Sequence, residues 1–132
     1  MVKSLGRIAT LMAGALIVVT LGGCAIKHAN GSLVNGKKLF ATNCGSCHTL
    51  AAAATTGKVG PNLNTLKAAC ATPASQKVRG TTLQKCIQTA ITKPYAYLPP
   101  GYSAGIMPNN FDKTLSPSQI QALVAFLSSA SK

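Results

Sequence analysis

Two cysteines and a histidine fall within one five-residue run, Cys44-Gly45-Ser46-Cys47-His48. Thiols at this spacing can each form a thioether with one of the two vinyl groups of a haem. The histidine that follows is then held beneath the macrocycle, its imidazole available to the iron. The run is therefore read as a covalent attachment site for one haem c, with Cys44 and Cys47 as the attachment points and His48 as an axial ligand. An iron held on one face needs a sixth ligand or an open position. That choice separates electron transfer from ligand chemistry.

The chain has three methionines. Met1 is the initiator and Met12 lies in an export-like leader, which leaves Met107 in Ala104-Gly105-Ile106-Met107-Pro108. A thioether opposite an imidazole is a known axial pair that raises the reduction potential. An isolated methionine usually fills a gap in a core. Here the haem motif upstream, the Gly/Pro-rich loop and the helical segment behind it favour Met107 as the sixth ligand. His28 is the rival, but it lies in a polar stretch beside the N-terminal segment.

The leader has the three-part form of an export signal. Lys3 and Arg7 supply the positive start, Ile8 to Leu21 is an uncharged apolar run, and Leu21-Gly22-Gly23-Cys24 resembles a lipobox. Residues 1–23 are expected to be a lipoprotein signal peptide, with Cys24 lipidated. The competing reading is an uncleaved anchor, since nineteen residues separate Arg7 from Lys27 and about twenty span a bilayer. Both readings place the remainder outside the cytoplasm and tethered to a membrane, on the periplasmic side of a bacterial membrane. In a cytoplasmic protein, Cys-x-x-Cys would raise thioredoxin-like or zinc chemistry instead. Zinc lacks further ligands at suitable spacing, and no strand signal precedes the motif.

Cys70 and Cys86 remain, and an oxidising compartment allows them to pair. A disulfide there would contribute roughly 3 kcal/mol through loop closure. The alternative is two buried free thiols, because spacing alone does not establish bonding geometry. Without Lys3 and Arg7, eleven of the thirteen basic residues face one acid, Asp112, for a formal charge of +10. Such an excess fits anionic lipid, nucleic acid or an acidic protein partner. Export and a single arginine after the leader, Arg79, set nucleic acid aside. A basic face would steer encounter with a redox partner bearing an acidic docking patch.

The elements that must position these residues read as helical. About 109 residues after the leader make one small domain. Residues 24–32 read as the lipidated cysteine and a polar tether that reaches on the order of 30 Å when extended; residues 33–132 form the domain. A first helix is expected from Asn35 to Cys47, with Gly36, Phe40, Cys44 and Cys47 on one stripe. Residues 51–60 read as loop, and a short helix is expected from Thr65 to Cys70, ending before Pro73. Thr81 and Gln84 fit a capping box for a helix carrying Leu83, Cys86, Ile87, Ala90 and Ile91, stopped by Lys93-Pro94. The prolines and glycines between Tyr95 and Asp112 leave an irregular loop that must carry Met107. Ser116, Pro117 and Gln119 open the last helix, with Ile120, Leu123, Val124 and Leu127 on its apolar stripe. No convincing strand is present. The predicted class is all-α, three to five helices around one haem.

With these residues assembled, the sequence resembles class I cytochromes c with one haem over roughly residues 33–130. Within that class it is most similar to the cytochrome c domain fused to subunit II of some bacterial haem–copper oxidases. The likeness rests on Pro94-Tyr95-Ala96-Tyr97, on Gly101-Tyr102-Ser103-Ala104-Gly105-Ile106-Met107-Pro108-Asn109-Asn110-Phe111, and on Leu123-Val124-Ala125-Phe126-Leu127. The resemblance implies that Pro61 offers its carbonyl to the Nδ1 hydrogen of His48. It also implies that Gly36 and Phe40 pack where the first helix crosses the last, opposite Phe126. The chain lacks the dicopper motif and the subunit II body, and the Cys70/Cys86 pair lies in a longer insert outside the common pattern. These departures favour a separate lipoprotein.

The expected function is a membrane-tethered carrier of single electrons between respiratory components, towards a terminal oxidase or from a quinol oxidoreductase complex. One alternative is a haem subunit of a larger oxidoreductase complex. Another is a haem-based ligand sensor or peroxidase, which would need Met107 away from the iron. With no distal histidine and one acid, acid–base catalysis lacks residues, so an enzyme is not expected.

Overall fold

The longest element, α1, runs over Gly23–Asn43. The computed structural model describes residues 23–132, with side chains from Ser32 onward. The expected signal peptide, residues 1–23, therefore lies almost wholly outside the described residues, as do the side chains of Cys24 and His28. Residues 24–32 continue α1 and do not form the extended tether read from their composition. The small polar residues suggest a linker, yet no proline interrupts them and Ala25, Lys27 and Ala29 are good helix formers.

α1 also ends earlier than its apolar stripe implies. The Cys44 and Gly45 amides both donate to the Phe40 carbonyl, at 2.8 and 2.9 Å, which closes the helix. The Cys47 and His48 amides then both donate to the Cys44 carbonyl, at 3.1 and 2.9 Å. The attachment motif is thus a wound turn beyond the helix. Gly45 is needed in it, since a Cβ would press on the Thr55 methyl at 2.6 Å and the Ala41 carbonyl at 2.9 Å.

A small hairpin follows where only loop was expected. Strands β1 (Thr49–Leu50) and β2 (Thr55–Thr56) pair antiparallel, Thr49 opposite Thr56. The connection is a 3₁₀ turn, Ala51–Ala53, closed by Ala54 at φ +55°. Two residues per strand give no readable alternation. What sets the hairpin is polar: Thr55 Oγ1 donates to the His48 carbonyl at 2.8 Å and accepts from the Leu50 amide at 3.0 Å.

After a 3₁₀ turn at Leu63–Thr65, three helices pack in succession: α2 (Leu66–Ala71), α3 (Pro73–Arg79) and α4 (Leu83–Thr92). Pro73 does not merely stop α2. It opens α3 at a position where its missing N–H costs nothing, with the Thr72 hydroxyl accepting from the Ser75 amide. The cap of α4 is Thr82, whose Oγ1 accepts from the Lys85 amide at 3.2 Å; the capping box expected one residue earlier at Thr81 and Gln84 is not formed. A disulfide joins Cys70 to Cys86, and so α2 to α4, with Cα atoms 5.9 Å apart.

The long loop holds a 3₁₀ turn at Pro94–Ala96 and a short helix, α5 (Phe111–Thr114). The last helix, α6 (Pro117–Ala130), begins with the expected capping box: the Ser116 amide donates to Gln119 Oε1 at 2.8 Å and the Gln119 amide to Ser116 Oγ at 3.2 Å. The described residues thus hold six α-helical segments, more than the three to five expected. The all-α class is as read.

α1 crosses α6 in the principal contact of the fold. Phe40 is fully buried, its ring 6.2 Å from that of Phe126 and tilted by 53°. Fully burying such a ring stabilises by about 1.5–3 kcal/mol. Gly36 permits the crossing, because a Cβ there would collide with the Ala122 carbonyl and with Phe126 Cβ. Leu50, Leu66, Ile87, Leu123 and Leu127 continue the core towards one side of the molecule.

Candidate functional site

On that side the core opens as a cleft of about 1310 Å³, measured out to its open mouth. Its walls are mostly hydrocarbon: Phe40 from α1, Leu66 from α2, Ile87 and Ile91 from α4, and Leu123 and Leu127 from α6. Cys44, Cys47, His48, Pro61 and Met107 all reach it, so five residues singled out from the sequence share one lining. Cys70 and Cys86 do not. Their disulfide ties together α2 and α4, the helices that contribute Leu66, Ala69, Ile87 and Ala90 to the lining.

His48 is held from two directions. Its Nδ1 lies 2.9 Å from the Pro61 carbonyl oxygen. A carbonyl only accepts, so Nδ1 carries the proton and Nε2 keeps its lone pair for a metal. Gly60 packs flat against the ring, where a Cβ would overlap the imidazole. The 57–61 segment is anchored by the Gly60 amide donating to the Cys47 carbonyl at 2.8 Å and by Thr49 Oγ1 donating to the Gly57 carbonyl at 2.8 Å. The same turn that presents the cysteines therefore also fixes the imidazole.

Met107 is half-buried in an otherwise exposed loop. Its main chain is tied down by the Tyr95 hydroxyl, which donates to the Met107 carbonyl at 2.6 Å. Gly101 and Gly105, at φ +85° and +89°, supply the left-handed turns that bring the loop back.

Cys44 and Cys47 are free and half-buried. Burial, with a smaller contribution from neighbouring Cys47, pushes the Cys44 thiol up to about 11. Before haem attachment this sulfur is held as the neutral thiol.

Sequence reasoning passed over three contributors. Gly60 falls at the end of the 51–60 loop and Tyr95 within Pro94-Tyr95-Ala96-Tyr97, and the sequence reading gives neither a role. Arg79 was noted as the sole arginine after the leader, yet it lines the cleft while nearly buried. Burial lowers its pKa from the ordinary arginine value, with Tyr97 pulling the other way. A lone arginine in a lysine-rich chain was the available signal.

The donor set fits a covalently held haem. Two thiols face an apolar cleft, a histidine offers a correctly protonated ring, and at the lining lies a guanidinium nitrogen with no hydrogen-bond partner among the described residues. Cys44 and Cys47 would hold it by thioethers and His48 would bind the iron. When bound, haem c supplies a one-electron ferric/ferrous couple. The protein's part is to exclude water with the Phe40, Ile87 and Leu123 walls and to keep the His48 proton at Nδ1.

Fold and site together define a small helical haem-c protein. The family model for cytochrome c matches residues 33–131, and the chain belongs to the cytochrome c family. One covalently bound haem c and an electron-transfer role follow from that membership. Among solved structures the chain is similar to the c-type cytochrome SorU from Sinorhizobium meliloti, at 29% identity, over 77% of this chain and 93% of that one, with a TM-score of 0.49. No curated protein sequence matches it.

Proposed function

We propose that this cytochrome c is a membrane-tethered carrier of single electrons, with His48 and Met107 as the two axial ligands of its iron. The observation that carries the reading is the convergence on one cleft of a His48 ring whose proton is held by Pro61 and a Met107 whose main chain is held by Tyr95. Two constrained ligands keep the coordination the same in both oxidation states, which favours electron transfer over ligand binding.

The mouth of the cleft supports an exchange surface. Val59, Leu98, Tyr102 and Ile106 are exposed there, and Lys58 adjoins Val59. Lys37, Lys38 and Lys113 are exposed as well. A cationic chain with this apolar rim suits a partner with an acidic docking patch, of the kind found on respiratory complexes such as a terminal oxidase or a quinol oxidoreductase. The export-like leader and the lipobox-like run ending at Cys24 support a lipid anchor on the extracytoplasmic face of a bacterial membrane.

The test is optical. The oxidised protein is expected to be low-spin with a methionine–iron charge-transfer band, and the reduced protein inert to carbon monoxide. Met107→Ala should keep its haem and bind carbon monoxide. Rapid binding by the wild type, or an unchanged low-spin spectrum in Met107→Ala, refutes the ligand assignment. The tether is tested by membrane partitioning: wild type should sediment with membranes and Cys24→Ser should not, and equal partitioning rejects it.

A further inference from the structure

Arg79 is a buried cation with no counter-charge of its own. It is 9% exposed, and the chain's single acid, Asp112, is exposed on α5. Among the described residues its Nε finds no hydrogen-bond partner. One terminal nitrogen, Nη2, donates to the Tyr97 carbonyl at 2.8 Å, and the guanidinium lies 5.0 Å from the centre of the Tyr97 ring. A guanidinium stays ionised in proteins and carries five donors. Leaving such a group desolvated and largely unpaired is costly, so the fold must gain something by keeping it there.

The placement is built from several sides. Arg79 ends α3, inside the loop closed by the Cys70–Cys86 disulfide. Its carbonyl accepts from Thr89 Oγ1 on α4 at 3.3 Å. Gly80, which follows, sits at φ +97° with its amide on the Gln76 carbonyl at 3.0 Å, a conformation that glycine adopts without strain. Packing, the disulfide and the main-chain carbonyl of Tyr97 together aim the side chain into the cleft that also holds Cys44 and His48.

The anionic groups of a haem are its two propionate carboxylates. We infer that Arg79 binds a haem propionate through its unpaired guanidinium donors, and that the disulfide-closed segment 70–86 serves to present it. A carboxylate matches the fork of a guanidinium and gives charge-assisted hydrogen bonds stronger than neutral ones. The inference rests on haem binding alone and is independent of Met107 ligation. By this reading Arg79 also sets the electrostatics of the iron, since a fixed positive charge near the macrocycle disfavours the ferric form and raises the reduction potential.

The experiment uses the matured holoprotein as wild type, Arg79→Gln, Arg79→Lys and Tyr97→Leu. Two quantities are read at one pH and ionic strength: the propionate bending band in the resonance Raman spectrum and the reduction potential. Arg79→Gln should shift the band and lower the potential. Arg79→Lys should keep the potential near the wild-type value, because the charge is retained, yet still shift the band, because a lysine cannot reproduce the fork. Tyr97→Leu keeps Arg79 and the residue-97 main-chain carbonyl that accepts from it, and removes only the ring, so both readouts should stay much closer to wild type than in Arg79→Gln. Equal shifts in Tyr97→Leu and Arg79→Gln would overturn the inference in favour of a purely structural role. So would a wild-type propionate band in Arg79→Lys, a variant that remains informative if Arg79→Gln fails to mature. Failure of the carrier reading would show separately, as carbon monoxide binding by the wild type.

Discussion

Replacing Gly60 by alanine should loosen the histidine side of the haem while leaving the thioethers intact. A Cβ at this position would lie 2.8 Å from His48 Nδ1 and 2.9 Å from Nε2, and closer still to Cε1. Ordinary contact needs about 3.5–4.0 Å, so the imidazole must retreat by roughly 1 Å or more. That displacement exceeds what the 2.9 Å bond from Nδ1 to the Pro61 carbonyl tolerates. Overpacking of this kind costs about 1–3 kcal/mol, and the lost hydrogen bond adds about 1 kcal/mol. For a domain of this size each kcal/mol lowers Tm by about 4 °C, so a fall of roughly 8–16 °C is expected. Thermal unfolding of the holoprotein by far-ultraviolet circular dichroism measures it, and the visible spectrum should show a weakened His48–iron bond. Gly101→Ala is the control. There φ is +85° and no atom lies within 4 Å of an added Cβ, so only left-handed strain of about 1–2 kcal/mol applies and the haem spectrum should not change. A Gly60→Ala protein with wild-type Tm and spectrum would refute the reasoning that the ring is held by contact with the 57–61 segment.

Removing the disulfide with Cys70→Ala and Cys86→Ala together should cost about 3 kcal/mol, since the closed loop spans 16 residues in sequence; a denaturant midpoint equal to that of the wild type would contradict this. Before haem attachment, the Cys44 thiol at about 11 in place of 9.0 holds about a hundredfold less thiolate at pH 8. Its higher intrinsic nucleophilicity recovers about tenfold, so alkylation of Cys44 should run roughly ten times slower than that of a free model thiol. Because this pKa is raised on folding, the thiol's contribution to the stability of the haem-free chain is complete below pH 9 and is lost as pH rises towards 11. Denaturant unfolding of that chain across pH 8–11 should show the decline, and Cys44→Ser should abolish it.

The attachment residues, the all-α class and the last helix were legible because each rests on local chemistry. Cys44, Cys47 and His48 announce themselves by spacing, and Ser116, Pro117 and Gln119 form a cap within four consecutive residues. α3 was missed because Pro73 can end one helix or open the next, and the choice depends on whether Thr72 is free to cap Ser75. The hairpin was missed because two-residue strands carry no periodicity, and Thr55 sets them by reaching back to His48.

The sequence alone determined the chemistry of attachment: thiol, thiol and imidazole in a run too short for the rest of the chain to separate. It also determined the excess of lysine and the scarcity of acid. Only the tertiary structure decided that Gly60 and Pro61 orient the histidine, that Tyr95 ties down Met107, and that Arg79 turns inward with a nitrogen unpaired. These relations join residues 12 to 18 positions apart in sequence, beyond the reach of helical periodicity. They arise from packing, where burial makes each unpaired donor costly and gives each available acceptor its value.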